Sequence, residues 1–189
     1  MKEKKDIKIL IDMDDTIEYL LDSWIDTLNR RYGTNVSPED ITEWDVSKFF
    51  PTLTSDQIFE PLITGDFWST VKPREDAIHY VKQLKDDGYQ VYICTNSNYK
   101  SLKEKMEHLL FRHFNYLSWR DVIIITHKQL IDADILVDDG VHNLIGGKYK
   151  GILMDTPHNR QFDERAHGIM RAKNWSEVYS LIKEITEEV

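Results

Sequence analysis

Apolar and polar positions alternate along this chain in two rhythms. Ile7-Lys8-Ile9-Leu10-Ile11 is a short apolar run of the kind that forms a buried β-strand. Residues 16–32 follow with Ile17, Leu20, Leu21, Trp24, Ile25 and Leu28 at helical spacing, and Gly33 supplies a stop. From Pro73 the same alternation resumes. A helix is predicted over 74–86 with Ala77, Ile78, Val81 and Leu84 on one face, ended by Gly88. A strand over 90–94 follows, then a helix over 99–114 carrying Leu102, Met106, Leu109, Leu110 and Phe114. Three further apolar strands are predicted at 122–125, 135–137 and 151–154, and a closing helix at 175–185. Apolar strands separated by helices or crossovers predict a parallel sheet covered on both faces, an α/β three-layer sandwich.

Residues 34–72 break the rhythm. Ser37-Pro38-Glu39-Asp40 and Thr54-Ser55-Asp56-Gln57 both read as capped helix starts with early acids. Around them sit Trp44, Phe49, Phe50, Phe59, Phe67 and Trp68. A small aromatic-rich α-helical cap inserted after the first strand is therefore expected over 17–72, with 1–16 and 73–189 forming the core domain.

Composition narrows the partners. The 41% apolar fraction of 189 residues suffices for a core, and no apolar run approaches a transmembrane length. The charged N-terminus, Met1-Lys2-Glu3-Lys4-Lys5-Asp6, lacks the apolar centre of a signal peptide, and no membrane association is expected. The single cysteine, Cys94, fits a reducing cytoplasm and reads as a small core residue on its strand. A net charge of −9 argues against long nucleic acid as partner. It leaves room for a small phosphorylated substrate, because one local cation can invert the field of an acidic site. The oligomeric state, a homodimer included, is left open.

Chemistry gathers where the strands end. The first strand runs into Asp12-Met13-Asp14-Asp15-Thr16, the second into Thr95-Asn96-Ser97-Asn98, the third into Thr126-His127-Lys128 and the fourth into Asp138-Asp139-Gly140. A bare D-x-D among 33 acidic residues also suits a solvated turn that caps the next helix. In a parallel sheet, however, all four ends share one edge, where ligands bind. Together they suit phosphoryl transfer. Asp12 is the candidate nucleophile toward phosphorus and Asp14 the candidate acid/base. Asp138 and Asp139 offer oxygens to Mg²⁺. Thr95, the Asn96 backbone N–H and Lys128 are placed to bind the phosphate.

This set resembles the haloacid dehalogenase superfamily of phosphatases, whose four motifs are matched by Asp12 through Thr16, Thr95, Lys128 and Asp138-Asp139. The resemblance implies a Rossmann-like core and marks Asp14 as the acid of a phosphatase rather than a dehalogenase. It implies Mg²⁺ held by the Asp12 side chain, the Asp14 main-chain carbonyl and an acid of the fourth motif, with Asp139 favoured over Asp138. Asp15 departs from the pattern, since many members carry Gly there. Within the superfamily the chain resembles the 5′(3′)-deoxyribonucleotidases. Their short cap ends in a Gly-x-Phe-aromatic segment, here Gly65-Asp66-Phe67-Trp68, and His158-Asn159-Arg160 and the stretch from Arg171 to Trp175 are also similar. That family implies a deoxynucleoside monophosphate substrate whose base lies between cap aromatics. Phe67, Trp68, Trp44 and Phe49 are the candidates here, in that order.

Each residue has a plainer alternative. Aromatics in a small cap often form its core, Lys128 and Thr95 also suit a surface lysine and a turn hydroxyl, and His127 and His158 are expected at the surface or just outside the site. Three other functions compete with a nucleotidase: a phosphatase for another small phosphoester such as a sugar phosphate, a phospho-accepting signalling module, and a silent nucleotide-binding protein. A receiver-type module places its accepting Asp after a middle strand and has no cap, which leaves the aromatic insertion without a role.

Overall fold

The computed structural model describes residues 2–64 and 66–187; Gly65 of the aromatic segment lies outside them. The strands β1 (Lys8–Ile11), β2 (Gln90–Thr95), β3 (Val122–Ile124), β4 (Ile135–Asp138), β5 (Lys150–Met154) and β6 (Met170–Ala172) form one sheet in the order β3-β2-β1-β4-β5-β6. Every pair is parallel. Five strands fall where the apolar runs predict them. The sixth is only three residues long, and Met-Arg-Ala carries no strand signature, so it is defined by its pairing with β5.

Side-chain alternation divides the strands cleanly between two faces. Ile9, Ile11, Val91, Ile93, Ile135, Val137, Ile152 and Met154 pack on one face. They meet the helices α1 (Leu20–Tyr32), α3 (Glu75–Asp86) and α7 (Trp175–Glu187). Leu10, Cys94, Leu136 and Leu153 point the other way, toward Leu144, Tyr149 and Ile169. That second face is covered by a thinner layer, the short helix α6 (Val141–Leu144) and the turns around it. Cys94 is buried there, and burial pushes its thiol up to about 12. Among the described residues no helix is long and apolar enough to cross a membrane.

Between β1 and α3 the chain leaves the sheet. It forms α1, three 3-10 turns and α2 (Ser55–Ile63), the last opened by the Thr54/Gln57 capping box that the sequence predicts. The departing and returning strands pair antiparallel: Tyr19 N–H donates to Lys72 C=O at 2.9 Å and Arg74 N–H to Ile17 C=O at 2.9 Å. This neck explains why α1 starts at Leu20 rather than at the predicted residue 16. Asp15 has φ +53°, a left-handed conformation that breaks a helix and that Asp tolerates better than most residues. Its carboxylate instead accepts the Leu21 N–H at 3.0 Å. The predicted helix over 99–114 is also interrupted. α4 (Leu102–Lys105) passes through a π-helical turn at Met106–Leu110 into α5 (Phe111–His113).

Candidate active site

Strand order dictates where the chemistry can sit. Between β1 and β4 the sheet reverses its direction of build-out, so the crevice of a parallel α/β sheet opens at their carboxyl ends. Asp12 continues β1, its N–H donating to Val137 C=O at 2.8 Å, and Asp138 closes β4. The Asp12, Asp138 and Asp139 carboxylates each bring an oxygen within 4.8 Å of the others, and all three residues are buried.

Lys128 occupies the gap between two of them. It leads a 3-10 turn after β3, is fully buried, and bonds to Asp12 and, at 2.6 Å, to Asp138 Oδ2. Burial alone would lower its pKa, but Asp12 and Asp138 outweigh it and hold the ammonium charged. Asp138 is fully engaged, since its Oδ1 accepts from Gly140 N–H at 2.8 Å and Asn143 Nδ2 at 3.1 Å. Asp139 is bonded differently: its Oδ2 lies 3.1 Å from His158 Nε2. The His158 ring is buried and held toward neutral by that burial. Asn159 fixes the strand end from behind, donating to Asp139 C=O at 3.0 Å and Met154 C=O at 2.8 Å.

The cluster is short of positive charge. Burial, then the neighbouring Asp138, Asp139 and Asp14, raises the Asp12 carboxyl well above the usual range against the pull of Lys128. Asp139 is raised in the same direction by burial and by Asp138. Asp15 is pushed up to about 8, chiefly by burial and then by Asp139. Such a set stabilises a bound cation, which would remove the mutual repulsion.

Asp14 lies beside this cluster, its side chain 30% exposed. Thr95 ends β2 fully buried, and Asn96 beside it is exposed. Asp14, Asp15, Asn96, Asp139 and His158 form the polar floor of a cavity of about 470 Å³. Its far wall comes from the excursion between β1 and α3, with Trp24, Trp44 and Phe59 supplying aromatic surface and Glu43 and Asp45 acidic surface.

The four sequence-predicted aromatics do not converge. Trp44 is 58% exposed, lines the cavity, and meets the His142 and His158 rings edge-on at 4.6 and 5.1 Å. Phe49 is half-buried against the main core. Phe67 and Trp68 are each 4% exposed and pack edge-to-face on one another at 5.3 Å. Phe67 borders a separate small hollow with Thr27, Arg30 and Arg31. His127 is exposed, whereas His158 touches Asp139.

Several site residues escaped the sequence reading. Trp24 and Phe59 face each other at 5.3 Å in the cavity wall, but Trp24 also fits the apolar stripe of α1, so its spacing does not single it out. Lys105 is 1% exposed and reaches Asp14. Its signal was available: it falls three residues after Leu102 and four before Leu109, inside an apolar stripe where a lysine needs a partner. Glu18 is fully buried in the neck, where burial and then Asp14 and Asp15 push it well above the usual carboxylate range. Nothing in its local sequence separates it from a solvated helical acid.

A family model, the 5′ nucleotidase, deoxy (Pyrimidine), cytosolic type C protein, matches residues 5–187. The chain belongs to that family. A Bacillus subtilis (strain 168) 5′(3′)-deoxyribonucleotidase is 32% identical over 172 residues, 90% of this chain and 95% of the relative. A Clostridium acetobutylicum 5′(3′)-deoxyribonucleotidase is 26% identical over 177 residues, 94% and 95% of the two chains. Among solved structures, a haloacid dehalogenase-like hydrolase from Streptococcus pneumoniae superposes with a TM-score of 0.67 at 15% identity, covering 95% of this chain and all of the other. A HAD family hydrolase from Deinococcus radiodurans R1, with bound phosphate and sodium, gives 0.65 at 13% identity over 97% and 98% of the chains. These structures share the fold. The family makes this chain a phosphoric monoester hydrolase.

Proposed function

We propose that the protein is a Mg²⁺-dependent phosphatase that hydrolyses deoxynucleoside monophosphates through a phosphorylated Asp12. The observation that carries this is the buried Asp12 carboxylate, bonded to a buried lysine and clustered with Asp139, which with Asp14 floors a cavity whose opposite wall is aromatic. Named 5′(3′)-deoxyribonucleotidase relatives covering nine-tenths of the chain support the substrate class.

An Asp12 oxygen attacks phosphorus in line with the ester oxygen, the P–O bond to the nucleoside breaks, and Asp14 gives its proton to the departing oxygen. Water then attacks the phosphoaspartate. Asp14 takes a proton from that water, the bond from phosphorus to Asp12 breaks, and inorganic phosphate leaves. Lys128 offsets charge on Asp12 throughout, and Thr95 and the Asn96 N–H receive the phosphoryl oxygens.

The donor set fits Mg²⁺, a hard cation that takes a few carboxylate oxygens. Asp12 and Asp139 would hold it with the Asp14 main-chain carbonyl. Asp138, with both oxygens already bonded, instead orients Lys128 and the turn after β4. Bound there, the metal would neutralise charge between carboxylate and phosphate dianion. Residues 17–72 act as the cap in this reading. Trp44, with Trp24 and Phe59 behind it, offers the surface for the base, while Phe67 and Trp68 brace the cap from within.

A panel of nucleoside monophosphates beside sugar phosphates, with Mg²⁺ and with chelator, tests the proposal. Preference for deoxynucleotides and dependence on metal are expected. Equal turnover of sugar phosphates would favour a general phosphatase and overturn the substrate assignment.

A further inference from the structure

Among the described residues, Lys105 is the buried lysine near the cleft to which the proposed reaction assigns no task. It lies at the end of α4, before the π-helical turn, and 1% of its surface is exposed. Its ammonium lies 2.5 and 2.7 Å from the two oxygens of Asp14. It donates to Thr95 Oγ1 at 3.3 Å and stands 4.8 Å from the centre of the Trp68 ring. Three separate segments therefore converge on one charge: the turn after β1, the end of β2, and the 3-10 turn that closes the aromatic excursion.

Burying an ammonium is costly unless partners compensate for the lost water, and this one has a carboxylate, a hydroxyl and a π-face. An ordinary surface lysine on this stripe would extend past the helix to solvent. Lysine has three donors and no acceptor, so the Thr95 oxygen must accept from it. That leaves the Thr95 O–H free to turn toward a phosphoryl oxygen. On the other side, Lys105 donates to Asp14 Oδ2 and stands against the buried Oδ1, which fixes the rotation of a carboxylate whose side chain is still 30% exposed.

We infer that Lys105 is a positioning residue: it orients Asp14 for proton transfer to the leaving oxygen, and Trp68 from the excursion holds it in place. The inference rests on the proposed role of Asp14 and adds a residue outside the four motifs. It ties the acid/base to the cap, so the surface that covers the substrate also helps to aim the proton.

Leaving-group chemistry separates positioning from simple structural support. A nucleoside alkoxide needs a proton to leave, whereas p-nitrophenolate does not. kcat/KM reports the steps up to phosphorylation of Asp12, so it isolates that requirement. Lys105→Met should lower kcat/KM for a deoxynucleoside 5′-monophosphate by about 100-fold, the lower range of general-acid effects. For p-nitrophenyl phosphate the same variant should lose less than about threefold, since no general-acid help is at stake. Lys105→Arg, which keeps the charge, should restore most of the nucleotide activity. Asp14→Asn should lose the same activity, and Lys105→Met added to it should lose nothing more.

Equal losses on both esters, or no loss on the nucleotide, would overturn the inference. If Lys105→Met does not fold alone, the double variant with Asp14→Asn removes the unpaired acid as well. A nucleotide kcat/KM more than about tenfold below that of Asp14→Asn alone would then sink the idea, because residues acting as a unit are not additive. Asp12→Asn run alongside keeps the two questions apart. If it retains turnover, the proposed reaction fails; if it is dead while Lys105→Met affects both esters equally, only the positioning role fails.

Discussion

The carboxyl edge of the sheet and the excursion between β1 and α3 are built on opposite terms. At the sheet edge each functional group is held by several bonds: Asp138 accepts three, Lys128 is clamped between two acids, and Asn159 pins the strand end behind Asp139. Past α1 the excursion is made of the short helix α2 and 3-10 turns, and its cavity-facing Trp44 is more than half exposed. A rigid edge suits chemistry that depends on positioning, and a looser wall suits recognition of a variable base. The two should therefore respond to substitution in different currencies, the edge in turnover and the wall in KM.

The largest effect belongs to the edge. Asp12→Asn should cut kcat by about 10⁴-fold or more, as removal of a nucleophile does elsewhere, with unchanged circular dichroism. Residual activity within about tenfold of the parent would break the assignment of the edge as the catalytic region. Inside the excursion, Phe67 should behave as core. Phe67→Ala should cost about 3–5 kcal/mol, read from denaturant unfolding, because a 4%-exposed aromatic leaves a cavity. Its nucleotide KM should stay within about twofold of the parent, measured well below the melting temperature. A large rise in KM with unchanged stability would instead place Phe67 against the base.

The wall gives the converse result. Trp44→Ala should raise KM for a nucleotide by about tenfold, or about 1.4 kcal/mol, while KM for p-nitrophenyl phosphate hardly moves. Stability should change by less than about 0.5 kcal/mol, as for other exposed positions. If both substrates weaken equally, Trp44 acts on the edge through His142 and His158, and the division between the two regions is less sharp than the geometry implies.

The two regions also differed in how far the sequence revealed them. The edge was legible because strand ends in a parallel sheet must align. Asp12, Thr95, Lys128 and Asp138 therefore share a location whatever their separation in the chain. Helix phase placed most of the core too, since the apolar stripes of α3 and α7 are buried as spaced. The excursion obeys no such rule. Phe67 and Trp44 are both aromatic and both follow an acidic residue, and only packing decides that one is interior and the other faces a cavity. Glu18 was hidden for a related reason, since a buried charge looks like a surface charge until its partners arrive from distant segments, whereas Lys105 is marked by its place inside an apolar stripe.

The smallest effect tests whether the excursion is a cooperative unit of its own. Thr54 caps α2 reciprocally with Gln57: its hydroxyl accepts the Gln57 N–H at 3.3 Å, and Gln57 Oε1 accepts the Thr54 N–H at 2.8 Å. Both residues are exposed or nearly so, which leaves the cap as the main loss in Thr54→Ala, about 1 kcal/mol. Native-state hydrogen exchange should show where that loss is felt. If the excursion opens separately, amides of α2 should exchange about fivefold faster while those of β1 and β4 stay unchanged. If both regions open only together, the strands must lose protection by the same factor as α2. The antiparallel neck at Ile17–Tyr19 and Lys72–Arg74 favours the first outcome, because two backbone bonds join the excursion to the core on a narrow stalk. Working against it are Trp175, whose indole N–H reaches Thr16 C=O at 2.9 Å just below that stalk, and the shared apolar cluster that runs from α1 into the sheet. The stalk governs only if α2, at the far side of the excursion, can fray without pulling α1 from that cluster, and the exchange of α1 amides in Thr54→Ala reads this directly.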